Sequence, residues 1–330
     1  MIKYKIAIIG CGLIGNKRAA VLNSNYKVEY CCDTRIEILD KFYKKYKCSN
    51  KTTDWKEVVR SNNVDIAIVA LTHNLLFQVT KKLLESGKHV LVEKPGSIKS
   101  SQLEKLFSLA KNNNCQLHIG YNSRYLKSIK KSLEIIKNDK SLGKLNYIRA
   151  VYGHGGRPGY EKEWRGNRKL AGGGELLDQG SHIIDLAYLY TNSEFKIKGG
   201  DLGNYFWNMK VEDNAFLLLK NKENVILNMH VSWTEWKNKF LFEIFFKNGK
   251  IEISGRGGSY GEEKLTFYKM KKKMGPPKKK IWLFKNIDNT WKDEWTDFTN
   301  EISLKKINTK NLLDSIKVLK IIDLAYNNLK

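Results

Sequence analysis

A short apolar run at residues 5–9 ends at Gly10-Cys11-Gly12-Leu13-Ile14-Gly15. The spacing is G-x-G-x-x-G, and it falls where the pattern changes from strand-like to helical. A second apolar segment, residues 28–32, follows and ends in Asp33. A strand, a glycine-rich turn, a helix and a strand closed by an acidic residue predict a dinucleotide-binding βαβ unit. Gly10 permits the tight turn, Gly12 lets the backbone approach a pyrophosphate, and Gly15 allows close helix–strand packing. The pyrophosphate would sit on the positive end of the helix, within reach of Leu13 and Ile14. Asp33 is placed to accept hydrogen bonds from a ribose diol. Its charge repels a 2′-phosphate, so NAD is expected rather than NADP, and the nearby Arg35 weakens that preference. A second glycine cluster, residues 255–261, leads into Glu262-Glu263-Lys264 with no apolar helix and reads as a loop.

The alternation continues to about residue 120. Strand signals occur at 64–71, 89–92 and 116–119, and helical spacing at 18–22, 36–46, 54–60, 75–85 and 101–111, with Gly87 as a C-cap signal. Near-continuous apolar strands separated by helices imply a parallel sheet covered on both faces. After residue 122 the texture changes. Helical patterns occur at 126–137, 175–190 and 312–329. Strand-like segments at 215–219, 225–233, 240–246 and 250–253, with the turn signal Asn248-Gly249, suggest an antiparallel meander. The expected fold is α/β: a Rossmann domain over residues 1–122 and an α+β domain with a largely antiparallel sheet over 123–330. A length of 330 residues suits two domains.

The formal net charge is +25, but 50 of the 59 basic residues are lysines scattered along the chain. That distribution suggests solvated surface, so no nucleic-acid partner is expected. The one dense run, Lys271–273 and Lys278–280, reads as an exposed loop, with attraction to polyanions or anionic lipid as the alternative. No uncharged apolar stretch reaches the ~18 residues of a spanning helix, and the first residues lack a signal-peptide layout. No membrane association and a cytoplasmic location are therefore expected. The five cysteines form no C-x-x-C pair, which suits buried thiols in a reducing compartment and no metal site.

Two further segments carry possible chemistry. Residues 89–92 deliver Glu93 and Lys94 to the carboxyl end of a strand, where ligands of open α/β sheets bind; Leu71 and Thr72 occupy the corresponding position after the 64–71 strand. Cofactor contacts are expected from all four. The second segment is the Gly172-Gly173-Gly174 entry to a helix bearing Asp178, His182 and Asp185. Their i, i+4, i+7 spacing puts them on one helical face. A carboxylate beside an imidazole raises its basicity and orients it, which suits a general base. A structural His–Asp pair is the alternative. Among the other histidines, His89 and His118 look structural, and His73, His154 and His230 are weaker candidates.

These motifs together resemble the glucose–fructose oxidoreductase / inositol dehydrogenase family (Gfo/Idh/MocA). The resemblance rests on the opening fingerprint, on Gly87-Lys88-His89-Val90-Leu91-Val92-Glu93-Lys94-Pro95, on Gly120-Tyr121-Asn122-Ser123-Arg124, and on Asp178-Gln179-Gly180-Ser181-His182. One departure is Leu75-Leu76-Phe77, where family members often carry a histidine. The resemblance implies an NAD(P)-dependent oxidoreductase acting on the CH–OH group of a sugar, an inositol or a nucleotide-linked sugar, including sugars used for surface polysaccharides. Lys94 and His182 would contact the reacting hydroxyl and Asp178 would help hold the substrate. Asn122 and Arg124 of the junction would also face it. The second domain would present an open-faced sheet used for a homo-oligomer, a dimer or tetramer. Two alternatives remain: an NAD-retaining epimerase or glycoside-cleaving enzyme with no net redox change, and a non-catalytic dinucleotide-sensing regulator.

Three of the nine arginines, Arg157, Arg165 and Arg168, fall within 12 residues just before the Asp178–His182 helix, in a segment that also holds Tyr160. Arginine's bidentate fork suits phosphate. An anionic substrate such as a nucleotide sugar is therefore expected at this loop, with pairing to Glu161, Glu163 or Glu175 as the structural alternative.

Overall fold

The computed structural model describes residues 2–285, 288–305 and 309–329. They fall into two units: Met1–Tyr121 with Trp291–Ile316, and Asn122–Thr290 with Lys317–Lys330.

The first unit is built on six strands: β1 (Tyr4–Ile9), β2 (Tyr26–Cys32), β3 (Asn50–Thr52), β4 (Ile66–Val69), β5 (His89–Glu93) and β6 (Leu117–Gly120). They form a parallel sheet in the order β3-β2-β1-β4-β5-β6. The order reverses between β1 and β4, so the loops leaving those two strands flank the switch point where such sheets bind ligands. The four residues of β4 are fully buried, which explains an apolar run without alternation. Ile6, Ile8, Ile66, Ile68 and Leu91 share one core with Leu39 and Phe42, and with Trp295, Phe298 and Ile302 of a late helix, Thr290–Ser303. That helix has no counterpart among the sequence expectations. Asn311 adds a second late contribution to this unit. Its side chain accepts from the Ile119 N–H at 2.9 Å and donates to the Ile119 carbonyl at 3.2 Å, pairing the open edge of β6.

The second unit holds an eight-stranded sheet: β7 (Leu145–Gly153), β8 (Phe195–Gly203), β9 (Asn214–Asn221), β10 (Ile226–Ser232), β11 (Lys239–Phe246), β12 (Gly249–Ser254), β13 (Glu263–Lys269) and β14 (Lys278–Phe284). The order is β14-β13-β12-β11-β7-β10-β9-β8. All neighbours are antiparallel except β7 and β10, because β7 lies between two strands that are consecutive in sequence. The expected meander is thus interrupted once. Ile148, Leu217, Leu219, Leu227, Met229 and Val231 are buried, while Tyr147, Phe216, Leu218 and Ile226 of the same strands are exposed. Alternate residues of a strand point to opposite faces, so one face of the sheet is open. Lys278–280 do not lie in a loop. They begin the edge strand β14 and are exposed, and charge on an edge discourages pairing with other chains. Among the described residues, no helix is long and apolar enough to cross a membrane.

Candidate active site

The glycine loop follows β1, and the helix after it spans Leu13–Ala20. Gly10 has φ +98°, and a Cβ there would lie 2.1 Å from the Ala70 carbonyl oxygen, so any other residue would be both strained and blocked. A Cβ on Gly15 would lie 1.9 Å from the Gly10 carbonyl oxygen. Loop and helix are therefore in backbone contact. Gly12 occupies the N-cap position and supplies no side-chain cap, and Leu13 beside it is exposed. Uncapped N–H groups at a helix start suit an anion.

Asp33 reaches back to this loop. Its Oδ2 accepts from the Cys11 N–H at 3.0 Å, and Arg35 grips both oxygens, Nε to Oδ1 at 3.1 Å and Nη2 to Oδ2 at 3.2 Å. Burial alone would raise the carboxyl, but the hydrogen bonds from Arg35 and Cys11 outweigh it and hold Asp33 below its usual range. A carboxylate fixed beside a glycine cradle and an uncapped helix start fits a dinucleotide. On the β4 side, Leu71 and Thr72 precede helix His73–Glu85, and Leu71 would be 3.3 Å from a Cβ on Gly10.

At the end of β5, Glu93 is buried and Lys94 half-buried. The Lys94–Pro95 peptide is cis, and the Gly96 N–H donates to the Glu93 carbonyl at 2.9 Å. The Glu93 carboxylate accepts from Arg18 Nε at 2.7 Å. Arg18, fully buried, also donates through Nη1 to Glu294 Oε2 at 2.6 Å and stacks 4.4 Å over the Trp291 ring. His118 Nε2 lies 3.4 Å from the other Glu294 oxygen. Burial pushes the Glu93 carboxyl up despite Arg18; Glu294, with Arg18 and His118 both beside it, is held down in spite of burial. Sequence reading missed Arg18 and Glu294. The only signal was an arginine on an otherwise apolar helix stripe, which does not name its partners.

In the second unit, the expected helix over 175–190 differs in one respect. Residues Leu176–Gly180 form a π-turn before helix Ser181–Thr191. The Glu212 carboxylate caps its entry, accepting from the N–H groups of Gly174 at 3.0 Å and Leu176 at 3.2 Å and from the Tyr326 hydroxyl at 2.6 Å. A Cβ on Gly180 would fall 2.9 Å from Leu176 Cδ1 and 3.4 Å from Met229, so a glycine lets the widened turn rest on β10. Such turns recur at functional sites.

This turn sets the polar side chains. Asp178 Oδ2 accepts from Arg165 Nε at 2.9 Å. His182 Nδ1 lies 3.1 Å from the Ser123 hydroxyl. Asp185 binds Arg124 through both oxygens, at 2.8 and 2.6 Å. Asn122 donates to Thr290 Oγ1 at 3.0 Å. The Tyr152 ring stands 6.1 Å from His182, and its hydroxyl bonds Arg256. Gln179, with its amide oriented by its neighbours, donates to Glu175 Oε1 at 2.7 Å and accepts from the Tyr260 hydroxyl at 3.1 Å. Tyr260 comes from the second glycine cluster, so that loop meets the Asp178–His182 turn. Tyr152 and Tyr260 were not singled out as site residues from sequence, because only sheet register and loop packing bring them to the Gln179–His182 segment.

The arginine loop is partly self-satisfied. Arg157 pairs with Glu163 at 2.6 Å, Arg165 with Asp178, and Arg168 is exposed at the start of the short helix Arg168–Ala171. Burial would lower the Arg165 guanidinium, but Asp178 more than offsets this. Tyr160 is buried against Val211 and Trp233.

A glycine cradle at the switch point of a parallel sheet, closed by a fixed aspartate, defines a Rossmann-type dinucleotide-binding protein with a second, mixed-sheet unit. Residues 4–121 match the family described as "Oxidoreductase family, NAD-binding Rossmann fold", and residues 131–260 match the "GFO/IDH/MocA C-terminal domain". The chain belongs to the Gfo/Idh/MocA oxidoreductase family. It is 24% identical over 148 residues to levoglucosan dehydrogenase of Pseudarthrobacter phenanthrenivorans, a match covering 44% of this chain and 37% of that relative. The fold of levoglucosan dehydrogenase in complex with NADH and levoglucosan superposes with a TM-score of 0.88 at 17% identity, covering 99% of this chain and 97% of that one. KijD10, a 3-ketoreductase from Actinomadura kijaniata in complex with NADP and TDP-benzene, superposes with a TM-score of 0.85 at 16% identity over 98% and 97%.

Proposed function

We propose that this chain is an NAD-dependent oxidoreductase that interconverts a secondary hydroxyl and a ketone on a sugar, most suitably a nucleotide-linked one. The observation that carries the reading is that the first unit holds an Asp33-closed glycine cradle with Lys94 at the carboxyl end of another strand of the same sheet; the second unit carries His182 on its π-turn helix. Gly10, Gly12 and Gly15 with the helix start would hold the pyrophosphate, and Asp33 the adenosine ribose. The cofactor, when bound, accepts or supplies the hydride. His182 takes the hydroxyl proton in the oxidative direction. Its Nδ1 faces Ser123, so Nε2 is the nitrogen assigned to that transfer. The Lys94 ammonium stabilises negative charge developing on the substrate oxygen. Asp178, oriented by Arg165, binds a neighbouring hydroxyl. The relatives' sugars and the nucleotide ligand carried by KijD10 support the substrate class, as do the exposed side chains of Arg157 and Arg168. The open face around Tyr147, Phe216 and Ile226 supports a homo-oligomer.

The test is a panel of free pyranoses, inositols and nucleotide sugars followed by NADH absorbance, with Lys94→Ala and His182→Ala as variants. Each variant is expected to lower turnover by about 10²-fold or more with cofactor affinity nearly unchanged. Near-normal turnover in either removes that residue from the mechanism. Tight NAD retention with no bulk NADH would point to an epimerase-type cycle instead.

A further inference from the structure

The end of β5 is held by a buried ionic arrangement larger than a Lys-bearing turn requires. Arg18 bridges two carboxylates, Glu93 and Glu294, with its shortest contact to each at 2.6 Å and no exposure of its own side chain. Gly120, the last residue of β6, leaves room for it: a Cβ there would lie 2.5 Å from Arg18 Nη2 and 3.3 Å from Glu93 Oε1. Four segments thus meet at one guanidinium. They are the helix that begins at the glycine cradle, the ends of β5 and β6, and the late helix Thr290–Ser303. Glu93 is fixed twice, by its carboxylate on Arg18 and by its carbonyl, which closes the turn with Gly96. Lys94 lies inside that turn, so any displacement of Glu93 carries the Lys94 backbone with it.

A buried ion cluster is a poor source of net stability, because desolvation offsets most of the attraction and an apolar replacement of similar volume often does as well. Its directional geometry, one planar guanidinium held against one oxygen of each of two carboxylates, is what an apolar core would not supply. We propose that Arg18 and Glu294 are positioning residues for Lys94, acting through Glu93. The proposal rests on the reading of Lys94 given above. Arg18 links the helix expected to carry the cofactor pyrophosphate to the turn carrying Lys94, so it fixes one relative to the other.

Arg18→Lys keeps a positive charge but cannot span both carboxylates, and Glu294→Gln keeps the shape while removing one anchor. Should Arg18→Lys not fold, Glu294→Gln and Gly120→Ala carry the test. Each is expected to lower kcat by about tenfold while leaving KM and NAD affinity within about twofold, since a displacement near 1 Å can cost more than that. Glu294→Gln should have no further effect on turnover in a Lys94→Ala background, because a residue acting through Lys94 has nothing left to act on. A readout independent of turnover is competitive acetylation of lysines read by peptide mass spectrometry. Lys94 should label about threefold faster or more in Glu294→Gln, as local opening is eased, with Lys105 unchanged. If the variants lose only thermal stability, with normal kcat and normal Lys94 labelling, or if a fall in kcat multiplies with that of Lys94→Ala, the cluster is a structural brace and the proposal is wrong. If Lys94→Ala itself turns over normally, the reading of Lys94 fails and the positioning role falls with it. A defective Lys94→Ala beside a normal Glu294→Gln overturns the positioning role alone.

Discussion

Gly15→Ala tests the cofactor cradle at its tightest point. The added methyl would begin 1.9 Å from the Gly10 carbonyl oxygen and 3.5 Å from Ile8 Cγ2. Acceptable carbon–oxygen contact needs more than 3.0 Å, so helix and loop must separate by about 1 Å or more. The methyl meets backbone, not the end of a flexible side chain, and no rotamer change relieves it. Overpacking of this kind costs about 1–3 kcal/mol of stability. The same movement draws the helix N–H groups away from a bound pyrophosphate. Losing one charge-assisted hydrogen bond, about 1.5–3 kcal/mol, corresponds to an affinity loss of about ten- to a hundredfold. Fluorescence titration with NADH measures the affinity, and urea unfolding measures the stability. Gly87→Ala is the control. Its φ is +77° with nothing within 4 Å, so it should lose about 1 kcal/mol of stability and no cofactor affinity. Gly15→Ala binding NADH within twofold of the parent would refute the reasoning, because the close approach would then do nothing for the cofactor.

Three further outcomes are expected. NAD should bind at least about tenfold tighter than NADP, and Asp33→Ala should narrow or reverse that ratio by freeing Arg35 for a 2′-phosphate; equal affinities in the parent would mean that Arg35 governs the pocket. Arg157→Ala and Arg168→Ala should raise KM for a nucleotide sugar about fivefold or more and spare a free sugar, whereas Arg165→Ala should lower turnover on both by releasing Asp178; use of the free sugar as well as the nucleotide sugar by parent and variants would make the loop structural. Glu294, facing Arg18 and His118 with Glu93 across Arg18, is held below the ordinary glutamate value of 4.5, so its stabilisation is present above that pH and lost as pH falls through the lower folded value. The urea stability gap between parent and Glu294→Gln should therefore be about 3 kcal/mol at pH 7 and shrink as pH drops below 4.5; a gap that widened in acid would contradict the sign.

The glycine loop was legible because its demands are local. Gly10, Gly12, Gly15 and Asp33 fall within 24 residues of one another, and Gly10 and Gly15 each answer a backbone constraint that sequence spacing encodes directly. What escaped was non-local. Helix Thr290–Ser303 places Trp295, Phe298 and Glu294 against a sheet whose strands end at residue 120, and nothing in its own pattern names that target. Likewise β7 pairs in parallel with β10, although both lie in a region whose turn signals suggest antiparallel neighbours. An apolar stripe says that a face will be buried; it does not say against what.

The segment around His182 shows a different failure of periodicity. The i, i+4, i+7 spacing places Asp178, His182 and Asp185 together on a helix of 3.6 residues per turn. The π-turn at Leu176–Gly180 breaks that assumption at the residue where the count begins. Each of the three then meets a partner from elsewhere in the chain: Arg165 for Asp178, Ser123 for His182 and Arg124 for Asp185. Two of those partners are consecutive residues of the Asn122–Tyr125 turn, so that single turn orients both the imidazole and the last carboxylate. The capping carboxylate of Glu212 and the missing Cβ of Gly180 are what allow the wider turn, and both belong to packing against β9 and β10 rather than to the helix itself. A Gly180→Ala substitution should therefore act on His182 geometry: the methyl meets Leu176 at 2.9 Å and must displace either that side chain or the turn. Turnover should fall by about tenfold or more while cofactor affinity, set in the other unit, stays unchanged. A variant with normal turnover would mean that the π-turn is incidental to His182 and that Ser123 alone orients the ring.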